Sequence, residues 1–439
     1  MAKVLVFLFI IFIAALGYLA ILNNEPVALK LSDQSAYEVP KIALILLSSA
    51  IGAFAILALV VVRDAKRYLG GWQNMRQQKK ELRIQELYSK GLDAFFAGKY
   101  EDAVEFFDRI IEEDPANINT LLRRGDAAFN TGDLIKAKDF YMKAKEIRPQ
   151  SVEVLLSLEK VFEAEHKWQE ALRYLDNILE IYEENPRALY RKREIYEINK
   201  NWEALLNVQY KILKSDVLEK DKQTEHQKLF GYRYELGRHY LEKGDIEKAK
   251  KVLRTIIKAN KDFMAAYLAL AESYLRGNDI EEAENTLLKG YEVTNATVFL
   301  IRLEDLFIDI GEPGKIIDLY QKELRKNPKD PKLQFLLGKL YYRLEMIDYA
   351  FEVITGIDTT AADYPDLHIL LGSIYKRRME YDKAAEEFRK ALIKPEKHLL
   401  ISSFCCSNCS YNSKEWMGRC THCKQWNTLA LDLGGTSKV

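Results

Sequence analysis

Cysteine is missing from the first 404 residues; all five lie between Cys405 and Cys423. No disulfide framework can therefore staple the body of the chain, and thiols gathered so closely point to a metal site in a reducing compartment. Proline is scarce, with 10 in 439 residues against 25 tyrosines, which suits a helical array. An excess of either charge is also missing: Lys and Arg number 65, as do Asp and Glu, so nothing draws the whole molecule to nucleic acid. There is no Gly-x4-Gly-Lys-Ser/Thr phosphate loop, and no segment outside the apolar runs and the repeats is long enough for a catalytic domain, so no enzyme is expected. His166, His239 and the scattered acidic pairs read as solvent-facing residues of charged helices.

What the chain does have is a period. Gly91, Ala103, Phe107 and Pro115 recur 34 residues later as Gly125, Ala137, Tyr141 and Pro149. A small residue followed by alanine at the same spacing returns as Gly237/Ala249, Ala271/Ala283, Gly338/Ala350 and Gly372/Ala384, while Glu159/Ala171 keeps the spacing without the glycine. Such positions are expected where two antiparallel helices cross, because a small side chain lets their backbones approach. Tyr240, Tyr274, Tyr341 and Tyr375, three residues further on, are expected in the core. Gly98, Gly132, Gly244 and Gly277 are expected to be left-handed just past helix ends. These features resemble the tetratricopeptide repeat family, which implies an all-α superhelix whose concave side holds a peptide or protein partner. The array is expected over 84–394, with the beat lost near 183–229 and again near 297–327. Between Lys214 and Gln227 either a long helix of irregular phase or a mobile joint fits.

Two apolar runs precede the array, Val4–Leu22 and Ile42–Val62, of 19 and 21 residues. Each matches the length of about 20 that a spanning helix needs. The first is too long for a signal-peptide core and no small-x-small cleavage site follows, so it is expected to be retained. A membrane hairpin over 1–72 is predicted, with spans near 4–22 and 42–62 and a loop over Asn23–Pro40. Seven basic residues against two acidic ones between Arg63 and Arg83 give a net +5, placing the N-terminus and the repeats in the cytoplasm by the positive-inside rule. Residues 73–83 are expected as a charged connecting helix. Asn24, Val27 and Leu29, with the small-residue run Ser48-Ser49-Ala50-Ile51-Gly52-Ala53, resemble the two-span lipopolysaccharide assembly protein A family.

The sharpest chemical signal is Cys406-x2-Cys409 followed after ten residues by Cys420-x2-Cys423. Two tight turns, each presenting a pair of thiolates, can complete a tetrahedral site for one zinc or iron ion. The ion would supply folding energy that so short a segment cannot obtain by burial. His422 is expected to face solvent, and Trp416 and Trp426 to form a miniature core over the ion. Cys409-Ser410-Tyr411 resembles the Cys-Gly-aromatic end of a rubredoxin knuckle, which favours Cys406 over the neighbouring Cys405 as ligand. The ribbon is expected over 395–430, with a disordered tail over 431–439; because the last repeat has an apolar edge to cover, the ribbon and its tether, which contains Leu399-Leu400-Ile401, are expected to dock against the repeats rather than swing free.

A membrane anchor, a tetratricopeptide array and a four-cysteine rubredoxin-like ribbon, in that order, resemble the lipopolysaccharide assembly protein B family of Gram-negative bacteria. The resemblance implies an inner-membrane adaptor that presents the lipid A pathway deacetylase to a membrane AAA metalloprotease, with metal ligands at Cys406, Cys409, Cys420 and Cys423. The chain departs from the family in its second span, in Thr421 where proline is usual, and in Ser410 where glycine is usual. A scaffold for another envelope-biogenesis or secretion complex is the alternative, and a homo-oligomer is left open.

Overall fold

The apolar residues of each repeat recur on one helix face, and a left-handed residue then turns the chain back, so every unit closes as a pair of antiparallel helices. In the computed structural model, residues 2–23, 25–32, 35–215, 219–358, 365–392 and 403–432 are described. The chain forms two units, Met1–Ser157 and Leu158–Val439.

The first unit holds α1 (Ala2–Leu22), the strands β1 (Pro26–Ser32) and β2 (Ser35–Pro40), and the helices α2 (Lys41–Phe96), α3 (Tyr100–Glu113), α4 (Ile118–Asn130) and α5 (Leu134–Ile147); the division falls inside α6 (Val152–Ala164). The expected loop between the apolar runs is an antiparallel hairpin, with Pro26 opposite Pro40. α2 is continuous over 56 residues, joining the second apolar run, the charged connector and the opening helix of the first repeat without a break. Among the described residues one helical segment, Lys41–Arg63, is long and apolar enough to cross a membrane; in α1 the corresponding described stretch is only Ile10–Leu19. Ala103, Phe107 and Ile110 of α3, and Ala137, Tyr141 and Ala144 of α5, are buried at the same four- and three-residue steps. Gly91 faces Phe107 so closely that a Cβ there would lie 2.6 Å from the ring, which is why glycine opens the repeat.

The second unit continues with α7 (Trp168–Ile181), α8 (Pro186–Ile198), α9 (Trp202–Lys214), α10 (Glu219–Glu242), α11 (Ile246–Ala259), α12 (Met264–Arg276), α13 (Ile280–Thr294), α14 (Thr297–Asp309), α15 (Pro313–Lys326), α16 (Pro331–Arg343), α17 (Ile347–Thr355), α18 (Pro365–Arg377) and α19 (Tyr381–Leu392). Side-chain caps recur at the entries: Asn185, Asn201, Asp279 and Asp330 each accept a backbone N–H of the first turn. Tyr274 and Tyr341 are buried as expected, whereas Tyr240 and Tyr375 are half-buried.

The left-handed turn residue keeps the beat where the sequence motif fades. It falls on Gly98, Gly132, His166, Lys200, Gly244, Asn278, Gly311, Glu345 and Met379. At the turn expected to use Gly277, the left-handed residue is instead Asn278, at φ 59°, while Gly277 has φ −84°. Asparagine tolerates this region because its short polar side chain bonds locally. The spacing lengthens only between Lys200 and Gly244, where α10 runs to 24 residues. Its extra N-terminal turns are packed: buried Arg193 donates to Gln209 (3.0 Å) and pairs with Glu225, and Gln209 Nε2 donates to Glu225 (2.8 Å). Near 297–327 an ordinary helix pair, α14 and α15, is present.

Candidate metal centre

The ribbon is a three-stranded antiparallel sheet of β3 (Ser403–Cys406), β4 (Asn412–Ser413) and β5 (Leu429–Asp432), in the order β4-β3-β5. Its two cysteine turns share one hydrogen-bond plan. Cys406 donates its N–H to the Tyr411 carbonyl (2.9 Å) and accepts from the Ser410 N–H (2.9 Å); Cys420 donates to Gln425 (2.8 Å) and accepts from Lys424 (3.0 Å). Ser410 and Lys424 occupy the same left-handed position, at φ 57° and 61°. Serine thus fills the place where the resembling family has glycine, and the turn geometry is retained.

These turns bring the Sγ atoms of Cys406, Cys409, Cys420 and Cys423 within 4.8 Å of one another. Cys406 and Cys423 lie 3.7 Å apart, as do Cys409 and Cys420. Four sulfurs at about 2.3 Å from a tetrahedral ion would be separated by about 3.8 Å, so the donor set fits one ion. Burial raises the Cys406 thiol, but the Thr428 hydroxyl and the backbone N–H groups of Asn408 and Cys409 outweigh it and bring it down to about 6. Cys405 is buried but outside the cluster: neighbouring strand residues face opposite ways, and its thiol lies 3.8 Å from the Cys406 carbonyl. His422 is exposed and stacks on Tyr411 with ring centroids 6.1 Å apart, so it stays outside the donor set.

The ribbon docks against the repeats, as expected, but away from the edge that motivated the expectation. The tether over 395–402 lies outside the described residues, as does the tail beyond Asp432, but the ribbon itself rests on the first helices of internal repeat pairs rather than on the edge of the last one. Trp426 is correspondingly not part of a miniature ribbon core. Its indole N–H donates to Glu235 of α10 (2.8 Å) and its ring meets Tyr232 edge-on at 5.3 Å. Arg419 pairs with Glu197 of α8 at 2.6 Å while its guanidinium stands 4.3 Å from the Trp426 ring centre. Asn427 accepts from the Ala265 N–H (3.2 Å) and donates to the Asp262 carbonyl (3.0 Å), holding the start of α12. Trp416 donates to the Leu429 carbonyl at 3.0 Å within the ribbon, and its ring also packs against the repeat core that contains Tyr234 and Leu270. Burial pushes the Glu235 carboxyl up, opposed by the Trp426 hydrogen bond and by Arg419. No periodic motif marks these anchors. The available signal was Gly231, a helical glycine off the beat, with Gly418 just before the second cysteine turn.

A tetratricopeptide repeat model matches residues 88–152 and 234–296, and a rubredoxin metal binding domain model of the LapB zinc-ribbon type matches 404–430. That combination matches the lipopolysaccharide assembly protein B family. Similar curated proteins include anaphase-promoting complex subunit 3 of Schizosaccharomyces pombe, 23% identical over 77% of this chain and 50% of the relative, and the TPR repeat-containing protein YpiA of Bacillus subtilis, 22% identical over 67% of each. The chain thus spans about half to two-thirds of these relatives. A solved tetratricopeptide repeat protein from Parabacteroides merdae is 17% identical, with a TM-score of 0.32 over 59% of this chain and 98% of that one. A repeat array carrying a four-cysteine ribbon is a scaffold or adaptor architecture, with protein partners as its general ligands, and it contains a cluster suited to one metal ion.

Proposed function

We propose that this protein is a membrane-anchored cytoplasmic adaptor that restrains lipopolysaccharide synthesis by presenting the lipid A pathway deacetylase to a membrane AAA metalloprotease. The observation that carries the reading is the LapB-type ribbon seated on the repeats of the same chain. α2 supports the anchoring: its 23-residue apolar part would rise about 35 Å, enough for a hydrocarbon core of about 30 Å, and it runs straight into the first repeat. We assign a second span to 4–22, with the N-terminus and repeats on the cytoplasmic side of the inner membrane. Cys406, Cys409, Cys420 and Cys423 hold one zinc or iron ion, which when bound cross-links the two cysteine turns and fixes Arg419 and Trp426 toward the array.

The test is a crosslinked pulldown of the membrane-embedded protein from its own cells, with the Cys406→Ser/Cys409→Ser variant alongside. Recovery of the deacetylase and the metalloprotease with the wild type, and their loss with the variant, is expected. Recovery of secretion or cell-wall machinery alone would favour a scaffold for another envelope complex.

A further inference from the structure

Between the ribbon and the first helices of three repeat pairs lies a cavity of about 800 Å³, lined by α10, α12, α13, α14 and the segment Trp416–Arg419. That is the upper part of the range for ligand pockets, sized for a few side chains of a peptide. Its apolar floor is open: Leu275 and Ile280 remain 41% and 40% exposed. Its polar lining is unbalanced, with five carboxylates and three guanidinium groups. All three guanidiniums are already engaged, Arg238 by Glu272, Arg302 by Asp305 at 3.7 Å, and Arg419 by Glu197, which lies outside the cavity. Glu242 and Asp309, at the C-terminal ends of α10 and α14, are exposed and carry no ion pair among the described residues.

The free carboxylates are dispersed. They do not converge as a metal-ligand group, and the cysteine cluster is the one such group among the described residues. A lone cation is therefore a poor occupant, whereas two separated positive charges flanking an apolar side chain match both the charge and the floor. We propose that this cavity takes a short segment of a partner protein in which Lys or Arg residues flank an apolar side chain, and that the metal ribbon forms one wall of the site. This rests on the adaptor reading and adds to it the chemistry of the recognised segment. It also gives the ribbon a direct part in recognition, because Met417 and Gly418 line the cavity.

The test uses the full-length, metal-loaded protein in a neutral detergent and fluorescence anisotropy with two labelled twelve-residue probes, one of repeated Lys-Leu-Leu-Lys blocks and one of Glu-Leu-Leu-Glu blocks. Saturable binding of the lysine probe alone is expected, weakening as salt is raised. The double variant Glu242→Gln/Asp309→Asn loses two ion pairs with the segment and should weaken binding up to about tenfold. Met417→Lys, on the ribbon wall, should weaken it by at least as much with unchanged metal content. Equal binding of the glutamate probe, or no change in Kd with either variant, would overturn the proposal. The cellular pulldown repeated with Glu242→Gln/Asp309→Asn separates the two readings. Partners recovered equally with wild type and variant sink the cavity assignment alone; absence of the expected partners from the wild type sinks the adaptor reading.

Discussion

Replacing Gly231 by alanine tests whether the ribbon is truly seated on α10. At an unconstrained position inside a helix this change stabilises by about 1 kcal/mol, through backbone entropy. At Gly231 the new Cβ would stand 2.3 Å from the Trp426 ring. Non-bonded carbon pairs settle at about 3.5–4.0 Å, so the indole must retreat by more than about 1 Å. Its surroundings resist that movement. The indole N–H is hydrogen-bonded to Glu235 at 2.8 Å, its edge packs on Tyr232, and Arg419 stands against the ring. Overpacking of this kind typically costs about 1–3 kcal/mol, and a lost hydrogen bond to a carboxylate about 1.5–3 kcal/mol. Together they exceed the helix-propensity gain, so the seat is expected to weaken by about 1–3 kcal/mol while the helices stay folded. Amide hydrogen exchange would read this directly, with faster exchange over 418–428 and over 228–236, unchanged metal content and unchanged far-ultraviolet helicity. A Gly231→Ala protein with wild-type exchange in both segments, or with a higher melting temperature, would refute the packing argument, because the propensity gain would then stand unopposed.

Further tests address the metal, pH and the membrane. Cys406→Ser/Cys409→Ser should abolish binding of the ion and expose 418–428 to exchange with little loss of helicity, since 403–432 contain no helix; protection persisting without metal would show that the seat does not depend on it. Burial lifts the Glu159 carboxyl from 4.5 to about 7, against the pull of Arg191, and leaves its Oε1 without a hydrogen-bond partner. The folded state therefore keeps a proton that the unfolded chain releases, and stability falls as pH rises from about 4.5 to 7. Glu159→Gln should remove that fall and stabilise the protein by about 1–2 kcal/mol above pH 7, measured by thermal unfolding; a pH-independent difference between the two proteins would contradict it. Deleting residues 1–62 should yield a soluble protein with weakened control of its client in cells, because confinement to the membrane raises local concentration; full regulation by the soluble form would contradict the need for an anchor.

The parts legible in the sequence are those fixed by local chemistry. A small residue at 91 and a bulky one at 107 specify a crossing between consecutive helices, and Cys-x2-Cys specifies a turn closed by its own backbone. The turn at Asn278 departed from expectation by one residue for an equally local reason, since asparagine next to glycine offers the same left-handed conformation. The continuity of α10 through the lost beat was less legible, because it is decided by the buried Arg193–Gln209–Glu225 network, whose members sit on three helices.

The ribbon seat lay furthest from sequence reasoning, and the reason is physical. Trp416 and Trp426 flank the second cysteine turn in the same way, so sequence proximity assigns both to the ribbon's own core. Both rings instead pack against the repeats, Trp416 while donating to Leu429 and Trp426 while donating to Glu235 of α10. A Cβ at Gly231 would meet the Trp426 ring, and one at Gly418 would lie 2.3 Å from the Tyr234 hydroxyl, so helix and ribbon each supply a glycine for the other's aromatic. Neither half of that exchange has a periodic or motif signature, since the partners are nearly 200 residues apart. The exchange also has an energetic consequence. Tyr234 is buried and its hydroxyl is held well above its ordinary pKa, chiefly by desolvation. The same packing that excludes water there leaves the ribbon little freedom to shift against α10 without opening the contact. The cysteine cluster therefore does more than close a small domain: whatever holds the two cysteine turns together also holds Gly418 and Trp426 at the spacing that α10 requires.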